Sequence, residues 1–270
     1  MPSDPLRPLT TALTDLGGQR VWSLIVSVFG DLAQEEASAI DGPVLSAIMT
    51  AMDVRPEAIR VALHRLRNDG WITSQKSGRT SRHSLTAHGR AETIAAAKRI
   101  YAGPDDMPTR WQIILTEGAD PDQRARIVAE GYTALTSRVF AGPQDARVPG
   151  DALLLQGHRV PHWLKTQLTP ARLIADYENL HVILTRIDAE LPEGSDLSPL
   201  EVAILRCLIV HNWRRLVLKH PDLPAALYTD AWRAHDCRAL VSKLLHRFPR
   251  PDLATLLEEP RASTSQGGRI

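Results

Sequence analysis

Residues 20–90 constrain the fold of this chain more than any other stretch, because helical and strand-like patterns follow one another there in a distinctive order. Apolar side chains share one helical stripe within residues 20–33, and a second, shorter apolar helix is predicted over residues 45–52. After a short turn, Pro56 begins a third helix, since proline is well tolerated in the first turn of a helix. The pattern therefore predicts three helices in close succession.

Two short strand-like runs follow the third helix, at residues 71–75 and 81–85, and a glycine-containing turn lies between them. Such a pair of runs is typical of a β-hairpin. Three helices followed by a hairpin is the element order of a winged helix-turn-helix, whose third helix enters the major groove of DNA. A further helix, capped near Thr86 and ending near Tyr101, is predicted to complete this N-terminal part.

The third helix, residues 56–68, has two sides of different chemistry. One side can face a core and carries Ala58, Ile59, Ala62, Leu63 and Leu66. On the other side, Arg60 can present two donors to guanine, Asn68 can pair with adenine, and Val61 can contact a thymine methyl group. Because residues near the N-terminus of such a helix reach deepest, Arg60, Val61 and His64 are the strongest candidates for base contacts.

Charge favours a nucleic-acid partner for this region, although not for the chain as a whole. The net charge is only +1, from 32 Lys and Arg against 31 Asp and Glu. Between residues 55 and 90, however, eight basic residues accompany two acidic ones, a local charge of +6. Alternatively, these arginines are scattered over a solvated helix and an ordinary hairpin and have no common function.

The predicted DNA-binding residues are Arg55, Glu57, Arg60, Val61, His64, Arg65, Arg67, Asn68, Lys76, Arg79 and Arg82. The hairpin residue His83 is expected to face the phosphate backbone with them.

The rest of the chain divides into a small mixed part and a helical part. Beyond a linker at residues 103–108, strands are predicted at 111–116 and 152–156, with a helix that starts at Asp120 between them. Later helices are predicted over residues 170–191, 199–220 and 232–247. The tail, residues 261–270, is polar and rich in glycine, which predicts disorder.

Several classes of protein are excluded by simple counts. The longest apolar runs, residues 21–30 and 202–210, fall short of the roughly 20 residues that a membrane helix needs. The N-terminus lacks the basic flank and apolar core of a secretory signal, which predicts a soluble, cytoplasmic protein. Cys207 and Cys237 are too few and too far apart for a zinc site or a disulfide scaffold. No metal and no cofactor is therefore predicted.

Three stretches carry a more specific signal through their order and spacing. They are VWSLIVSVFGD at residues 21–31, AIRVALHRLRNDGW through KSGRTS to LTAHGR at residues 58–90, and HNWRR followed by PDLPAAL at residues 211–227. Together they resemble the PaaX-type repressors, a family that regulates operons for phenylacetic acid degradation. The resemblance covers the N-terminal third and much of the C-terminal third of the chain.

The resemblance implies a helix-rich α+β protein in three parts. A winged helix-turn-helix would occupy residues 1–102, a small ferredoxin-like (Cas2-like) α/β unit residues 103–160, and a helical domain residues 161–260, before the tail at 261–270. It also implies a homodimer that represses a catabolic operon and leaves DNA on binding an aryl-acyl coenzyme A such as phenylacetyl-CoA. Because winged-helix dimers place two recognition helices about one DNA turn apart, the operator is expected to be an inverted repeat.

A candidate effector site lies on the helix that begins near Pro199. His211, Arg214 and Arg215 share one helix face, beside Trp213, and could hold the phosphates and aromatic parts of a coenzyme A thioester. Alternatively, the arginines cover a helix surface while the tryptophan fills the core.

Other functions stay open beside the repressor. A ligand-dependent activator would have the same architecture. A winged helix used only for protein contacts is a weaker alternative. A nuclease would need metal ligands, and Glu117 is the one candidate near the first central strand. An enzyme that acts on coenzyme A thioesters is a further alternative, but the sequence contains neither a hydrolase motif nor a phosphate-binding loop. Cys237, beside His235 and Asp236, is expected to be a small buried residue rather than a nucleophile. The sequence therefore predicts a protein that is not an enzyme.

Overall fold

The computed structural model describes residues 6–18, 20–118, 120–157 and 159–257 of a helix-rich α+β protein. The helices are α1 (Arg7–Asp15), α2 (Val21–Leu32), α3 (Gly42–Ala51), α4 (Pro56–Asn68), α5 (Ala87–Ile100), α6 (Pro121–Ala129), α7 (His162–Leu168), α8 (Ala171–Glu190), α9 (Pro199–Val217) and α10 (Ala234–Arg247). The strands are β1 (Ile40–Asp41), β2 (Ile72–Ser77), β3 (Thr80–Leu85), β4 (Trp111–Leu115), β5 (Thr133–Ala134), β6 (Val139–Pro143) and β7 (Leu153–Leu155). The tail predicted to be disordered, residues 261–270, lies outside the described residues.

The chain folds into two units, and each is made of separate segments. The first unit contains the described residues up to Thr93, together with Pro192–Leu208 and the described residues from Arg247 onward. The second unit contains Ile94–Leu191 and Ile209–His246. The three-part division at residues 102 and 160 stays a prediction.

Helix α2 forms the centre of the first unit. Its sequence is apolar on nearly every side, and Leu24, Ile25, Val28 and Phe29 are all buried. It packs against α4, whose own buried side chains are apolar. A helix that is apolar on all sides is stable only when other elements enclose it, and the burial of α2 fulfils this condition.

A buried ion pair joins α2 to the C-terminal segments of the first unit. The carboxylate of Asp31 accepts from Arg206 Nε at 3.0 Å and from Arg206 Nη2 at 2.8 Å, and both side chains are almost fully buried. Arg206 also donates to the carbonyl oxygen of Phe248, and Arg250 Nε lies 3.4 Å from Asp31 Oδ1. Burial removes the hydration of these charges, so each depends on the other for compensation.

The hairpin of the first unit forms a three-stranded antiparallel sheet with the short strand β1. The strand order is β1-β3-β2, and the β2–β3 register pairs Ser77 with Thr80. The two residues between them include Gly78 at a φ of +61°, a left-handed conformation that favours glycine in tight hairpin turns. The predicted hairpin is therefore present, with strands slightly longer than the sequence pattern indicated.

The second unit contains a four-stranded antiparallel sheet in the order β5-β6-β4-β7. A small apolar core made of Ile114, Ile127, Tyr132 and Phe140 joins the sheet to α6. Gln112 Nε2 donates to the Tyr132 hydroxyl at 2.6 Å within this core. The sequence predicted β4 and β7, but it did not predict the β5–β6 hairpin.

The helical part of the second unit is organised around Tyr177 and Asp222. Tyr177 is buried edge-on against Trp213, His220 and Trp232. Asp222 accepts from Arg99 Nε and from Arg238 Nη2, each at 2.8 Å. Among the helices of the described residues, none is both long enough and apolar enough to cross a membrane.

Removal of the Asp31 carboxylate should strongly destabilise the fold. In Asp31→Ala, Arg206 stays buried without its counter-charge, and we expect the free energy of unfolding to fall by about 3–5 kcal/mol. Urea denaturation followed by circular dichroism measures this loss. The control is Arg186→Ala, which breaks an exposed pair with Glu190 and should leave stability nearly unchanged. Equal losses in the two variants would contradict the assigned importance of the buried pair.

The imidazole of His220 should make stability depend on pH. Its Nδ1 donates to the Pro221 carbonyl oxygen and its Nε2 accepts from the Tyr177 hydroxyl, so the neutral ring fits the site. Burial lowers the pKa of His220 to about 4. The unfolded chain takes up this proton near pH 6.5, so the free energy of unfolding should fall between pH 6.5 and 4, by up to about 3 kcal/mol.

Denaturation curves at pH 7, 6 and 5, for the wild type and for His220→Asn, isolate this contribution. His83 and His235 also have pKa values lowered by burial, and they contribute equally to both proteins. The variant should therefore show the shallower pH dependence. Identical slopes would refute the role assigned to His220.

Candidate nucleic-acid interface

A tight turn sets the angle between α3 and α4. The backbone N–H groups of Asp53 and Val54 donate to the carbonyl oxygens of Thr50 and Met49, which closes the end of α3. Asp53 has a φ of +59°, and aspartate is one of the few residues other than glycine that tolerate this region. Pro56 then begins α4, as the sequence predicted. The result is a helix, a short turn and a second helix.

Helix α4 buries one side and presents the other to solvent. Ile59, Ala62, Leu63 and Leu66 are buried, four of the five residues predicted for its core face. On the opposite side Val61 is 70% exposed, an unusual position for an apolar side chain on a basic surface. The predicted two-sided character of this helix is therefore confirmed.

All eleven predicted DNA-binding residues have exposed side chains. Eight lie on or just before α4, and Lys76, Arg79 and Arg82 lie on the β2–β3 hairpin. Their contact with DNA stays a prediction. Their common exposure shows that none of them is needed to fill the core.

These residues differ in the contacts that they make with other side chains of the protein. Arg65 pairs with Asp69 at 3.4 Å and lies over the Trp22 ring, and Asn68 Nδ2 lies 3.3 Å from His64 Nδ1. Arg67 Nη1 donates to Ser74 Oγ at 3.4 Å, and Arg82 Nε lies 3.7 Å from Asp41 Oδ1. By contrast, Arg60 and Arg79 form no hydrogen bond or ion pair with any other residue that the structure describes. These two guanidinium groups are available to a ligand.

A hollow of about 470 Å³ lies between α3, α4 and the hairpin. Arg60, Arg67 and Arg79 lie along its walls, so cations from both the helix and the hairpin line one concave surface. Such a surface suits a polyanion better than a small neutral molecule.

His83 also lines this hollow, but it is not exposed like the eleven predicted DNA-binding residues. It is buried, and its Nδ1 lies 2.7 Å from Ser74 Oγ across the β2–β3 ladder. Burial lowers the pKa of His83, and the charge of Arg67 lowers it further. His83 therefore helps to hold the hairpin together as a neutral ring, and its contact with a phosphate stays a prediction.

The hairpin is fixed to the end of α4 and to the start of α5. Thr86 Oγ1 donates to the Gly70 carbonyl oxygen at 2.6 Å and accepts from the Gly89 N–H at 3.0 Å. The Thr86 N–H also donates to the Trp71 carbonyl oxygen. The predicted cap of α5 therefore also fixes the hairpin relative to α4.

The four predicted effector residues differ in burial and in their contacts. His211 and Trp213 are fully buried, and Trp213 Nε1 donates to the Ile100 carbonyl oxygen at 2.8 Å. Burial lowers the pKa of Arg214, and Arg215 donates to the Asn212 side chain at 3.4 Å. A role for these residues in effector binding stays a prediction.

A larger cleft of the second unit, about 1270 Å³, was not anticipated from the sequence. It is lined by the ends of α5, β6 and α9 and by part of α6, and its cations are Lys98, Arg99, Arg110 and Lys219. None of the four predicted effector residues lines it. Its lining comes from four separate stretches of the chain, so no local motif marks it.

Glu117 and Cys237 are the residues that the alternative enzyme functions would use as metal ligand and nucleophile. Glu117 is exposed, and the described residues contain no group of three His, Cys, Asp or Glu side chains that could hold a metal ion. Cys237 is buried, as predicted, and its Sγ lies 3.5 Å from the Tyr177 carbonyl oxygen. Burial raises the pKa of Cys237, which disfavours the reactive thiolate.

Comparison with known proteins gives a consistent result. A family model described as PaaX-like protein matches residues 20–89, and one described as PaaX-like protein C-terminal domain matches residues 170–254. The transcriptional repressor PaaX of Escherichia coli (strain K12) is 27% identical over 269 residues, which cover 90% of this chain and 85% of that protein. The solved structure of uncharacterized protein Rv0674 from Mycobacterium tuberculosis has a similar fold, with a TM-score of 0.50 and 19% identity over 87% of this chain and 98% of that chain.

Gly89 should be essential for the junction between hairpin and helix. A Cβ atom at this position would lie 2.2 Å from the Trp71 carbonyl oxygen, so Gly89→Ala forces the backbone apart. We expect a loss of about 1–3 kcal/mol in the free energy of unfolding, measured by urea denaturation. The control is Gly30→Ala within α2, where the nearest atom lies 3.7 Å away and the substitution should be neutral or stabilising. Comparable effects of the two substitutions would contradict the assigned packing.

Proposed function

Because the chain belongs to the PaaX-like family, we propose that it is a DNA-binding transcriptional regulator, a dimeric repressor of an aromatic-acid catabolic operon such as that for phenylacetate. The observation that carries this proposal is the surface of α4. It presents Arg60 and Val61 to solvent directly after a tight turn from α3, beside a hairpin that carries Lys76, Arg79 and Arg82.

The N-terminal elements support the winged helix-turn-helix assignment. Helices α2, α3 and α4 correspond to its three helices, and β2 and β3 to its wing. Helix α4 has 13 residues and is therefore about 20 Å long, a suitable length for the major groove. In this assignment Arg60 and Val61 contact base edges, while Arg79 at the tip of the wing contacts the phosphate backbone.

The central sheet supports a ferredoxin-like unit. Its elements follow in the order strand, helix, strand, strand and strand, and the sheet order β5-β6-β4-β7 places the first strand, β4, between the third and the fourth. A complete ferredoxin-like unit has a second helix before its last strand. Residues 144–152, all of them described, contain no helix at that place. The helices that follow would form the third part of the protein.

Two copies acting together would read an inverted-repeat operator with half-sites about one DNA turn apart. If about six phosphates are neutralised, the slope of log K against log salt should be near −5. An aryl-acyl coenzyme A that binds better to the free dimer must weaken operator affinity by the same factor, which is the linkage expected of a repressor.

Arg60 and Arg79 should contribute to DNA binding in different ways. Arg60→Ala should cost about 1–3 kcal/mol on the operator and relax the preference at one base position. Arg79→Ala should weaken binding to all sequences alike and reduce the salt slope by about one. Fluorescence anisotropy with operator and scrambled duplexes at four salt concentrations separates the two effects.

The matched control is Arg186→Ala, since Arg186 is an exposed helical arginine in the second unit. It should bind both duplexes like the wild type. If Arg60→Ala and Arg79→Ala also bind like the wild type, α4 and the hairpin are not the DNA-binding elements.

The proposed effector should release the protein from DNA. We expect phenylacetyl-CoA, but not free phenylacetate, to raise the dissociation constant for the DNA upstream of the gene, measured by anisotropy. Arg214→Ala tests the predicted effector residues and Lys219→Ala tests the cleft. A loss of response in only one of them locates the site. Tighter binding to DNA in the presence of the thioester would identify an activator. An unchanged DNA affinity would contradict the proposal that phenylacetyl-CoA is the effector.

A further inference from the structure

Helix α5 begins in the first unit of the chain and ends in the second. Its residues up to Thr93 belong to the first unit, and those from Ile94 onward belong to the second. Just before it, Thr86 Oγ1 donates to the carbonyl oxygens of Gly70 and Trp71, at the base of the hairpin. The 14 residues of the helix span about 21 Å without a break. Because a helix is a rigid element, a change at its last turn can reach the hairpin through the helix itself.

Side chains from α9 and α10 hold the last turn of α5. The final carbonyl oxygens of a helix have no partner within the helix and need one outside it. Trp213 of α9 donates through Nε1 to the Ile100 carbonyl oxygen at 2.8 Å. Arg238 of α10 donates through Nη1 to the carbonyl oxygens of Arg99 and Ala102, each at 3.0 Å. We call Trp213 and Arg238 the α5 clamp.

One carboxylate connects the α5 clamp to the cleft of the second unit. Asp222 accepts from Arg238 Nη2 and from Arg99 Nε, each at 2.8 Å. Arg99 also donates through Nη2 to the carbonyl oxygens of Val217 and His220. Arg99 and Asp222 both line the cleft, and their side chains are 32% and 21% exposed. Arg238 does not line the cleft and is only 3% exposed, so a ligand there can reach the Arg99–Asp222 pair but not the α5 clamp.

The cleft carries further cations beside this pair. Lys98, Arg110 and Lys219 line it with exposed side chains, and these form no hydrogen bond or ion pair with any other residue that the structure describes. Its walls also carry the carboxylates of Asp105, Asp106 and Asp145, so an anion is favoured at the cations and not in the cleft as a whole. A phosphate binds a guanidinium group through the same two-point geometry as a carboxylate. The phosphates of an acyl-coenzyme A can therefore compete with Asp222 for Arg99.

We infer that the Arg99–Asp222 pair couples occupation of the cleft to the DNA-binding hairpin through α5. The inference rests on the proposed function, which supplies the acyl-coenzyme A effector and the role of the hairpin, and it adds the route between them. While the pair is closed, α5 is held at both ends and the hairpin has a fixed position beside α4. When a ligand phosphate takes Arg99 from Asp222, the last turn of α5 loses an attachment. The hairpin then becomes less ordered and binds DNA more weakly, as linkage between two sites requires.

Asp222→Asn weakens the pair in the absence of any ligand. Hydrogen exchange of the full chain, followed by mass spectrometry, should become about 5–10-fold faster in residues 97–102 and also in the hairpin, residues 72–85. The dissociation constant for the operator should rise by a similar factor. Exchange in β4 and β6 should stay as in the wild type, which shows that the variant is folded. Arg99→Gln, which leaves Asp222 paired with Arg238, should give the same pattern.

The matched control for exchange and operator affinity is Asp188→Asn. Asp188 is 22% exposed, accepts from Lys243 of α10 at 2.8 Å and does not line the cleft. This variant should leave exchange in the hairpin and the operator affinity unchanged. Faster exchange at the end of α5 without any change in the hairpin would overturn the inference, because α5 would then transmit nothing.

The affinity for phenylacetyl-CoA distinguishes competition for Arg99 from a general loss of structure. By calorimetry, Asp222→Asn should bind the thioester about 5–10-fold more tightly than the wild type, because its Arg99 is no longer held by a carboxylate. Damage to the cleft would instead weaken binding. Asp145→Asn removes the same charge from the cleft wall without a contact to Arg99, and should raise the affinity much less. Equal gains in the two variants would contradict the competition.

The readouts keep this inference separate from the proposed function. If no variant binds the thioester, but Asp222→Asn still loosens the hairpin and weakens operator binding, the coupling through α5 is supported and phenylacetyl-CoA is not the effector. If the thioester binds and accelerates exchange in the hairpin, but the protein binds no DNA, the coupling is supported and the repressor is contradicted. Unchanged exchange in the hairpin overturns the inference, whatever the result with DNA.

Discussion

The buried pair between Asp31 and Arg206 is the interaction on which the first unit most depends. It joins α2 to a residue 175 positions later in the chain, and α2 is the helix that packs against α4. The orientation of the candidate recognition helix therefore rests on an element whose buried charge is compensated by Arg206 and Arg250 of the C-terminal segments. A buried carboxylate without a counter-charge is costly, so the N-terminal third does not hold all the interactions that its own fold needs. This explains why residues 192–208 and the described residues from 247 onward belong to the same unit as residues 20–93.

Within that unit, side chains with a structural role and side chains available for recognition are clearly separated. His83, Thr86 and Gly89 hold the hairpin, α4 and α5 in fixed positions through short hydrogen bonds and close packing. Arg60 and Arg79 project from those fixed elements without partners among the described residues. Cations that rigid elements hold in place lose less conformational freedom on binding, which favours contact with a polyanion.

The sequence predicted the elements with strong local signals and missed those defined by distant contacts. The apolar stripe of α2, the proline that starts α4 and the glycine turn of the hairpin are all local, so these elements were predicted nearly to the residue. The two-residue strands β1 and β5 exist only through pairing with β3 and β6, and no periodicity in so short a segment marks them. The burial of His83 was not predicted, because a basic residue on the hairpin was expected to face solvent. The pairing of Asp31 with Arg206 had no local signal at all.

Protection of guanine N7 from dimethyl sulfate, mapped along the DNA upstream of the gene, tests the central claim most directly. If α4 reads the major groove, the protein should protect guanines in two clusters about 10 base pairs apart, related by the symmetry of an inverted repeat. Addition of the effector should remove both clusters together. Binding without any protection of the major groove, or a single cluster without symmetry, would contradict the assignment of α4 as the recognition helix of a dimer.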